Sequence, residues 1–150
     1  LEHHFAYSER LSGFQSELTR IAPNIRLRQI NLRNDDAECA KAAILDLLHQ
    51  TSDLAGIYAI TPGYAGVCEA LQQTGRAQDI HLIMHDEIAA NLQHLKEGVA
   101  DFVIGQDAEL QGSLPLSMLA DFIQLRQRPA SSNVYTAIRV LLRYNIDNLL

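Results

Sequence analysis

The stretch that decides the fold is DLAGIYAITPGYAGVCEALQQTGRAQDIHLIMHDE, residues 53–87. Its first part, LAGIYAI (54–60), is a short apolar run that is typical of a buried strand. A Pro-Gly turn follows, and YAGVCEALQQTG (64–75) has the pattern of a helix closed by a glycine. DIHLIMH (79–85) is a second apolar strand candidate. The stretch therefore predicts a strand–helix–strand unit, the building block of a parallel sheet.

Strands and helices alternate on both sides of this stretch. The predicted elements outside it are, in chain order, a helix over 8–21, a strand over 25–32, a helix after an N-cap at Asn34, Asp35 or Asp36, a helix over 86–98, a strand over 99–105, a helix over 109–125 and a final strand over 133–146. Together with the central unit this makes about five strands and five helices. Such alternation is typical of an α/β fold, a three-layer sandwich in which helices cover both faces of a mainly parallel sheet.

The composition is that of an ordinary globular chain and excludes several classes of protein. The 150 residues suffice for one domain, and 47% of them are hydrophobic and 20% charged. The net charge is −6 and the 12 basic residues are scattered, so the chain by itself is a poor binder of nucleic acid. The sequence contains neither an apolar run of the ~20 residues that a membrane span needs nor a signal peptide. It opens with LEHH (1–4), a tag remnant or native sequence, and we expect it to begin partway through a larger protein.

Residue patterns that carry common enzyme chemistry are sparse. Cys39 and Cys68 lie in helical patterns, where a thiol is usually a small buried hydrophobe, although a disulfide between them stays open. The sequence has neither a GxSxG motif nor a glycine-rich phosphate-binding motif. His81 and His85 lie on one predicted strand, ~13 Å apart at the rise of a strand, which is too far to share one metal ion. We therefore expect neither a metal nor another cofactor.

Polar side chains follow three successive predicted strands. They are Thr61 and Tyr64, His85 and Asp86, and Gln106 and Asp107. Either aspartate is explained equally well as the cap of the helix that follows it, and a catalytic carboxylate pair is another interpretation. Because the carboxyl ends of parallel strands meet at one edge, these residues are expected to converge there. A set of carboxylate, amide and hydroxyl groups suits hydrogen bonding to a polyhydroxylated ligand better than its chemical transformation.

Four segments in order along the chain carry a family resemblance. They are SERLSGFQSEL (8–18), residues 53–87, LKEGVADFVIGQDAELQG (95–112) and IRVLLRYNID (138–147). Together they resemble the second half of the sugar-responsive core of LacI-type transcription regulators, which is similar to periplasmic sugar-binding proteins. The resemblance implies one lobe of a type-1 periplasmic-binding-protein-like fold, with the ligand in a cleft between two lobes.

The resemblance also assigns candidate ligand-binding residues. Arg10 corresponds to the family's arginine that holds ligand hydroxyls, and Asp86 and Gln106 correspond to two further ligand-binding positions. If the chain binds such a ligand, Tyr64 or Arg33 is expected to wall it in. The turn after GIY usually presents an Asn or Asp in this family, and this chain has neither there, so the identity of the ligand stays open.

The resemblance implies that residues 1–150 form the C-terminal lobe of a ligand-binding domain, without the N-terminal lobe and the helix-turn-helix that contacts DNA. It also implies that the chain crosses toward the other lobe near Gln106. The helix over 109–125 would then pack on the absent sheet, and its apolar residues need cover from elsewhere: Leu114, Leu116, Leu119, Phe122 and Ile123. We expect a partner chain or a shifted position of the helix to supply that cover.

Three functions from different classes follow. The leading hypothesis is a cytoplasmic, homodimeric regulator that binds a small sugar or polyol without catalysis and contacts DNA only through its missing N-terminal domain. The alternative is a lobe of a secreted sugar-binding transport protein, and neither role requires this chain to enter a membrane. A third hypothesis, a small enzyme that uses Asp86 and His85, lacks a coherent set of acid, base and nucleophile. A signal peptide upstream would indicate the transport protein, and a helix-turn-helix the regulator.

Overall fold

The strand–helix–strand unit at the centre of the chain forms as the sequence predicts. The computed structural model describes residues 5–32 and 36–146. Its helices and strands are α1 (Phe5–Ile21), α2 (Ala37–Gln50), β1 (Gly56–Ala59), α3 (Tyr64–Gln73), β2 (His81–His85), α4 (Ala89–Lys96), β3 (Phe102–Gly105), α5 (Ala108–Leu125) and β4 (Arg139–Leu141). None of the described helices is long and apolar enough to cross a membrane.

The strands form one sheet in the order β1–β2–β3–β4. The first three are parallel, with Ile57 opposite Leu82 and Met84 opposite Val103, and β4 runs antiparallel to β3. This confirms the predicted α/β fold with a mainly parallel sheet. Because β1, β2 and β3 run the same way, their carboxyl ends lie along a single edge.

Helix α3 joins the sheet to α2. Six of its ten residues are buried: Tyr64, Gly66, Val67, Cys68, Ala70 and Leu71. The Cys68 sulfur lies 3.7 Å from that of Met84 in β2, which places α3 against this face of the sheet. Helix α2 approaches α3 so closely that a Cβ added to Gly66 would lie 2.7 Å from the carbonyl carbon of Ala37. A residue without a side chain is therefore required where the two helices meet.

Helices α1 and α5 differ from the other three. None of their residues, all of which the structure describes, is buried. Phe14 of α1 packs on Tyr58, which points to the opposite face of β1 from the core residue Ile57, so α1 lies on the sheet face away from α3. Helix α5 begins at an N-cap formed by Asp107, whose carboxylate accepts a hydrogen bond from the backbone N–H of Leu110. The capping role predicted for Asp107 is thus confirmed.

Two predicted strands are wrong or too long. Residues 25–32 form no strand, because within the described residues β1 pairs only with β2 and nothing hydrogen-bonds to this segment as a ladder. Side-chain contacts hold it instead, from Arg26 to Asp53 and from Arg28 to Gln50, each at 3.2 Å. The final strand predicted over 133–146 is reduced to Arg139–Leu141, because β3 offers only a short partner, from Val103 to Gly105. The described residues thus hold four strands rather than about five.

Local helix signals were more reliable. Asp36 is the N-cap of α2, and its side chain accepts a hydrogen bond from the backbone N–H of Cys39. The other two candidates for this cap, Asn34 and Asp35, lie outside the described residues. The helix predicted from Asp86 begins later, at Ala89, with Ile88 as its N-cap. Asp86 is therefore not a helix cap, and its carboxylate is left for another role.

Candidate functional site

The candidate site is the polar edge at which β1, β2 and β3 end. We call the group formed by Arg10, Tyr58, Tyr64, His85, Asp86 and Gln106 the rim. Its members come from α1, β1, α3, β2 and the loops after β2 and β3. The strands β1, β2 and β3 therefore end at one edge of the sheet, as the sequence predicts.

Asp86 is the centre of a hydrogen-bond cluster on the rim. The Tyr64 hydroxyl donates to one carboxylate oxygen at 3.2 Å, and the Gln106 side-chain amide donates to the other at 3.0 Å. Burial, followed by the charge of Asp86, raises the pKa of Tyr64 well above its ordinary value, so this hydroxyl keeps its proton. Tyr64 at the start of α3 and Gln106 in the loop after β3 thus hold one partly exposed carboxylate in a fixed orientation.

The backbone at Asp86 is held in an uncommon conformation. Its φ is +70°, in the left-handed region that non-glycine residues seldom adopt. The buried side-chain amide of Asn91 donates to the carbonyl oxygens of both His85 and Asp86, each at 2.9 Å. The N–H of Asp86 also donates to the carbonyl of Ile104 at 2.9 Å. These bonds stabilise a strained residue at the end of β2, a situation that occurs most often at functional sites.

His85 and Tyr58 form a second pair on the rim. The Tyr58 hydroxyl and His85 Nε2 lie 2.7 Å apart, and the Phe14 ring covers Tyr58 at a centroid distance of 4.7 Å. Burial, with a smaller contribution from the Arg10 charge, lowers the pKa of His85 to about 4. The imidazole is therefore neutral at pH 7. Its Nδ1 atom is buried and has no hydrogen-bond partner among the described residues.

Arg10 brings a positive charge to the end of β1. One guanidinium nitrogen donates to the carbonyl oxygen of Ile60 at 3.0 Å, and the guanidinium lies 5.8 Å from the centre of the Tyr7 ring. A guanidinium carries five N–H donors, so donors remain for a bound molecule. Arg33, the other predicted cationic residue, lies outside the described residues.

The structure brings together three of the predicted binding residues, Tyr64, Asp86 and Gln106, in direct hydrogen bonds. Sequence reasoning missed one residue of the rim, Tyr58, and one residue that supports the rim, Asn91. Tyr58 follows the period of β1, and that alternation could have put it on the same face as the rim. Asn91 gave no signal, because a polar residue within a predicted helix is normally solvent-exposed.

The rim offers donors and acceptors rather than reactive groups. A carboxylate has about four lone-pair sites, and the cluster uses two of those of Asp86. Burial raises the pKa of the Cys68 thiol to about 12, and the hydrogen bond with Asp36 raises that of Cys39, so neither is an activated nucleophile. The described residues contain no group of three His, Cys, Asp or Glu side chains able to hold a metal ion.

Comparison with protein families identifies a family to which the chain is similar. The model of the family described as periplasmic binding protein domain matches residues 3–127. No curated protein matches the sequence.

Several solved structures share the fold. A sugar-binding protein of a sugar ABC transporter from Bacillus halodurans is 25% identical, with a TM-score of 0.86 over 99% of this chain and 54% of its own. A proposed LacI transcriptional regulator from Bacteroides fragilis is 28% identical, with a TM-score of 0.84 over 95% of this chain and 48% of its own. A solute-binding protein from Agrobacterium vitis, bound to α-D-tagatopyranose, is 22% identical, with a TM-score of 0.82 over 95% of this chain and 47% of its own. The chain thus spans about half the length of these structures.

Proposed function

Because the chain belongs to the periplasmic binding protein domain family, we propose that it forms one lobe of a two-lobed binding protein for a small sugar or polyol. In this proposal residues 1–150 are the C-terminal lobe, and the rim faces the cleft in which the ligand binds. The chain spans about half of each structure compared above, which leaves room in those proteins for a second lobe.

The observation that carries the proposal is the orientation of the Asp86 carboxylate. Both oxygens are fixed by Tyr64 and Gln106, and the residue is held at a φ of +70° although it caps no helix. A fixed, partly exposed carboxylate accepts hydrogen bonds from ligand hydroxyls without first losing side-chain freedom. We assign the remaining polar contacts of the ligand to Arg10 and Gln106, and the walls of the site to Tyr64 and Arg33.

We further propose that the intact protein is a cytoplasmic, homodimeric LacI-type regulator that contacts DNA through an N-terminal domain. Ligand closure of the two lobes would shift the populations of its DNA-binding states. The 28% identity to the regulator from Bacteroides fragilis and the ordered LacI-like segments support this role. The 25% identity to the transporter component from Bacillus halodurans supports a second candidate, a sugar-binding protein for uptake.

A catalytic role is disfavoured by the partners of the two residues that would perform it. His85 Nε2 is paired with the Tyr58 hydroxyl, and its pKa of about 4 makes it a weak base near neutral pH. Asp86 is hydrogen-bonded to Tyr64 and Gln106, neither of which is a base.

Calorimetric titration of the full-length protein that contains this chain, against a panel of neutral monosaccharides, tests the binding role. We expect at least one sugar to bind, and Asp86→Asn to weaken its binding by about ten-fold, because the substitution removes the charge from a hydrogen-bond acceptor. Asp79→Asn is the matched control, since the side chain of Asp79 is 67% exposed and lies away from the rim. Equal affinities of the wild type and Asp86→Asn, or turnover of the bound sugar, would contradict the proposal.

The regulator and the uptake protein differ in what the ligand controls. For a regulator we expect the sugar to change retention of the full-length protein on DNA fragments from its own genomic neighbourhood, and Asp86→Asn to shift that response to higher sugar concentration. A protein that binds sugar with the same affinity whether or not DNA is present, and that is recovered from outside the cytoplasm, indicates the uptake role.

A further inference from the structure

A charged pair crosses the sheet directly beside the rim. Glu87 follows Asp86 in the chain, and one of its carboxylate oxygens accepts a hydrogen bond from the guanidinium of Arg139 in β4. Strand β3 lies between β2 and β4, so this pair spans three strands. The side chains are only partly exposed, at 20% for Glu87 and 38% for Arg139.

Gly105 makes this crossing possible. Arg139 lies opposite Gly105 in the ladder between β3 and β4. A Cβ added to Gly105 would lie 2.9 Å from the carboxyl carbon of Glu87, closer than real contacts allow. The Glu87 side chain therefore occupies the space that a side chain at position 105 would fill, and it reaches β4 over the backbone of β3.

The segment that leads into β4 also contacts the other side of the rim. The Thr136 hydroxyl donates to the carbonyl oxygen of Gln106 at 3.0 Å. A guanidinium nitrogen of Arg139 lies 3.9 Å from the carboxylate of Asp107, the residue after Gln106. Arg139 thus lies between the two residues that directly follow Asp86 and Gln106.

The pair is poorly explained as a device for stability. One carboxylate oxygen of Glu87 and the Nε atom of Arg139 are buried without a hydrogen-bond partner among the described residues. Burying polar atoms unpaired costs stability, and a pair optimised for folding would satisfy them. The unpaired atoms therefore favour a role for this pair other than stability.

We propose that Arg139 is a positioning residue for ligand binding: through Glu87 and Asp107 it sets the spacing between the Asp86 carboxylate and the Gln106 amide. This inference rests on the proposed sugar-binding function. It makes β4 a determinant of affinity although no residue of β4 belongs to the rim.

The test compares Arg139→Gln, Glu87→Gln and the double variant with the wild type in calorimetric titrations of the full-length protein against the monosaccharide panel. We expect each single variant to lose about ten-fold in affinity and the double variant to lose no more than Arg139→Gln alone, because Arg139→Gln already breaks the bridge to Glu87. Arg139→Lys, which keeps the charge, should recover part of the loss. Arg26→Gln is the matched control, since it removes an exposed ion pair with Asp53.

A readout without ligand separates positioning from stability. In the unliganded protein, Arg139→Gln should shift the backbone amide resonances of Asp86 and Gln106, whereas Arg26→Gln should leave them in place. Affinity within two-fold of the wild type, or unchanged resonances at both residues, would overturn the inference. The inference would also be overturned if Arg139→Gln and Arg26→Gln both lost affinity in proportion to the drop in their unfolding midpoints. If the wild type binds no sugar, the proposed function fails, and the resonances alone decide on the positioning role.

Discussion

Helices α3 and α5 are both rich in apolar residues, yet they end in opposite environments. Six of the ten residues of α3 are buried, whereas none of the eighteen residues of α5, all described, is buried. Exposed apolar side chains of α5 include Leu116 at 69% and Ile123 at 61%. The comparison teaches that apolar content and spacing predict a helix, but not whether its partner surface lies within the same stretch of chain.

An apolar cavity lies beside α5. An open cavity of about 720 Å³ lies between α5 and the segment before β4, lined by Leu114, Met118 and Tyr135 among others. An apolar surface of this kind is unusual on a chain that works alone. The expectation that a partner chain or a shifted position of the helix covers these residues stays a prediction, and substitutions in α3 and α5 test it.

Truncation of one leucine in each helix gives the largest expected difference. Leu71 of α3 is fully buried, so Leu71→Ala should lower the free energy of unfolding by roughly 2–5 kcal/mol. Leu119 of α5 is 53% exposed, and in a protein of these 150 residues Leu119→Ala should change it by less than about 0.5 kcal/mol. Urea unfolding monitored by circular dichroism measures both.

The same two variants in the full-length protein test whether α5 is covered there. If another lobe or subunit covers α5, Leu119→Ala should there cost a large fraction of what Leu71→Ala costs. A cost that remains near zero in the full-length protein would contradict the predicted cover.

The contact between α1 and the sheet predicts a dependence of stability on pH. The pKa of His85 is about 4 in the folded protein and about 6.5 in an unfolded chain. The folded state therefore disfavours the protonated imidazole, so the stability is complete above pH 6.5, falls as the pH drops from 6.5 to 4, and loses no more from this group below 4. The free energy of unfolding, measured with urea at several pH values, should fall by about 3 kcal/mol. The His85→Gln variant should not show this loss.

Phe14→Ala checks whether α1 contributes to this burial. Removal of the ring that covers Tyr58 should expose the Tyr58–His85 pair and raise the pKa of His85 toward 6.5, as measured by titration of its imidazole resonances. A pKa that stays near 4 would mean that the Phe14 ring does not contribute to the burial of His85.

Local signals in the sequence predicted most of the fold. The caps at Asp36 and Asp107 and the turn glycines depend on residues within a few positions of one another, and the parallel unit follows from the order strand, helix, strand along the chain. The misassigned strands depend on pairing with distant segments, which composition does not record: residues 25–32 lack a ladder, and β4 finds only a short one.

The site was predicted in the same uneven way. The convergence of the strand ends follows from the rule for parallel strands, whereas ligand binding by Asp86, Tyr64 and Gln106 stays a prediction. The hydrogen bonds that orient these residues join partners separated by 20 and 22 positions in the sequence. The bridge from Glu87 to Arg139 joins partners separated by 52 positions. Such pairings depend on the three-dimensional placement of whole elements, so they are visible only once the sheet is assembled.

Glycine substitutions give a smaller test of how tightly each helix packs. At Gly66 an added Cβ would lie 2.7 Å from the carbonyl carbon of Ala37 and 2.8 Å from the backbone nitrogen of Lys41. Because these are backbone atoms that cannot rotate away, Gly66→Ala should destabilise the fold by about 1–3 kcal/mol in urea unfolding. An unchanged free energy of unfolding would show that α2 and α3 are less closely packed than the structure has them.

Replacement of the glycine in α1 by alanine should stabilise the fold rather than destabilise it. Gly13 lies within the helix, and a Cβ built there meets nothing within 4 Å. Alanine lowers the conformational entropy of the unfolded chain relative to glycine, so Gly13→Ala should raise the free energy of unfolding by about 0.5–1 kcal/mol in the protein of 150 residues. The substitution also reports on cover in the full-length protein. If a second lobe or subunit packs closely over this face of α1, the added methyl group meets it, and the gain found in the shorter protein should vanish or reverse.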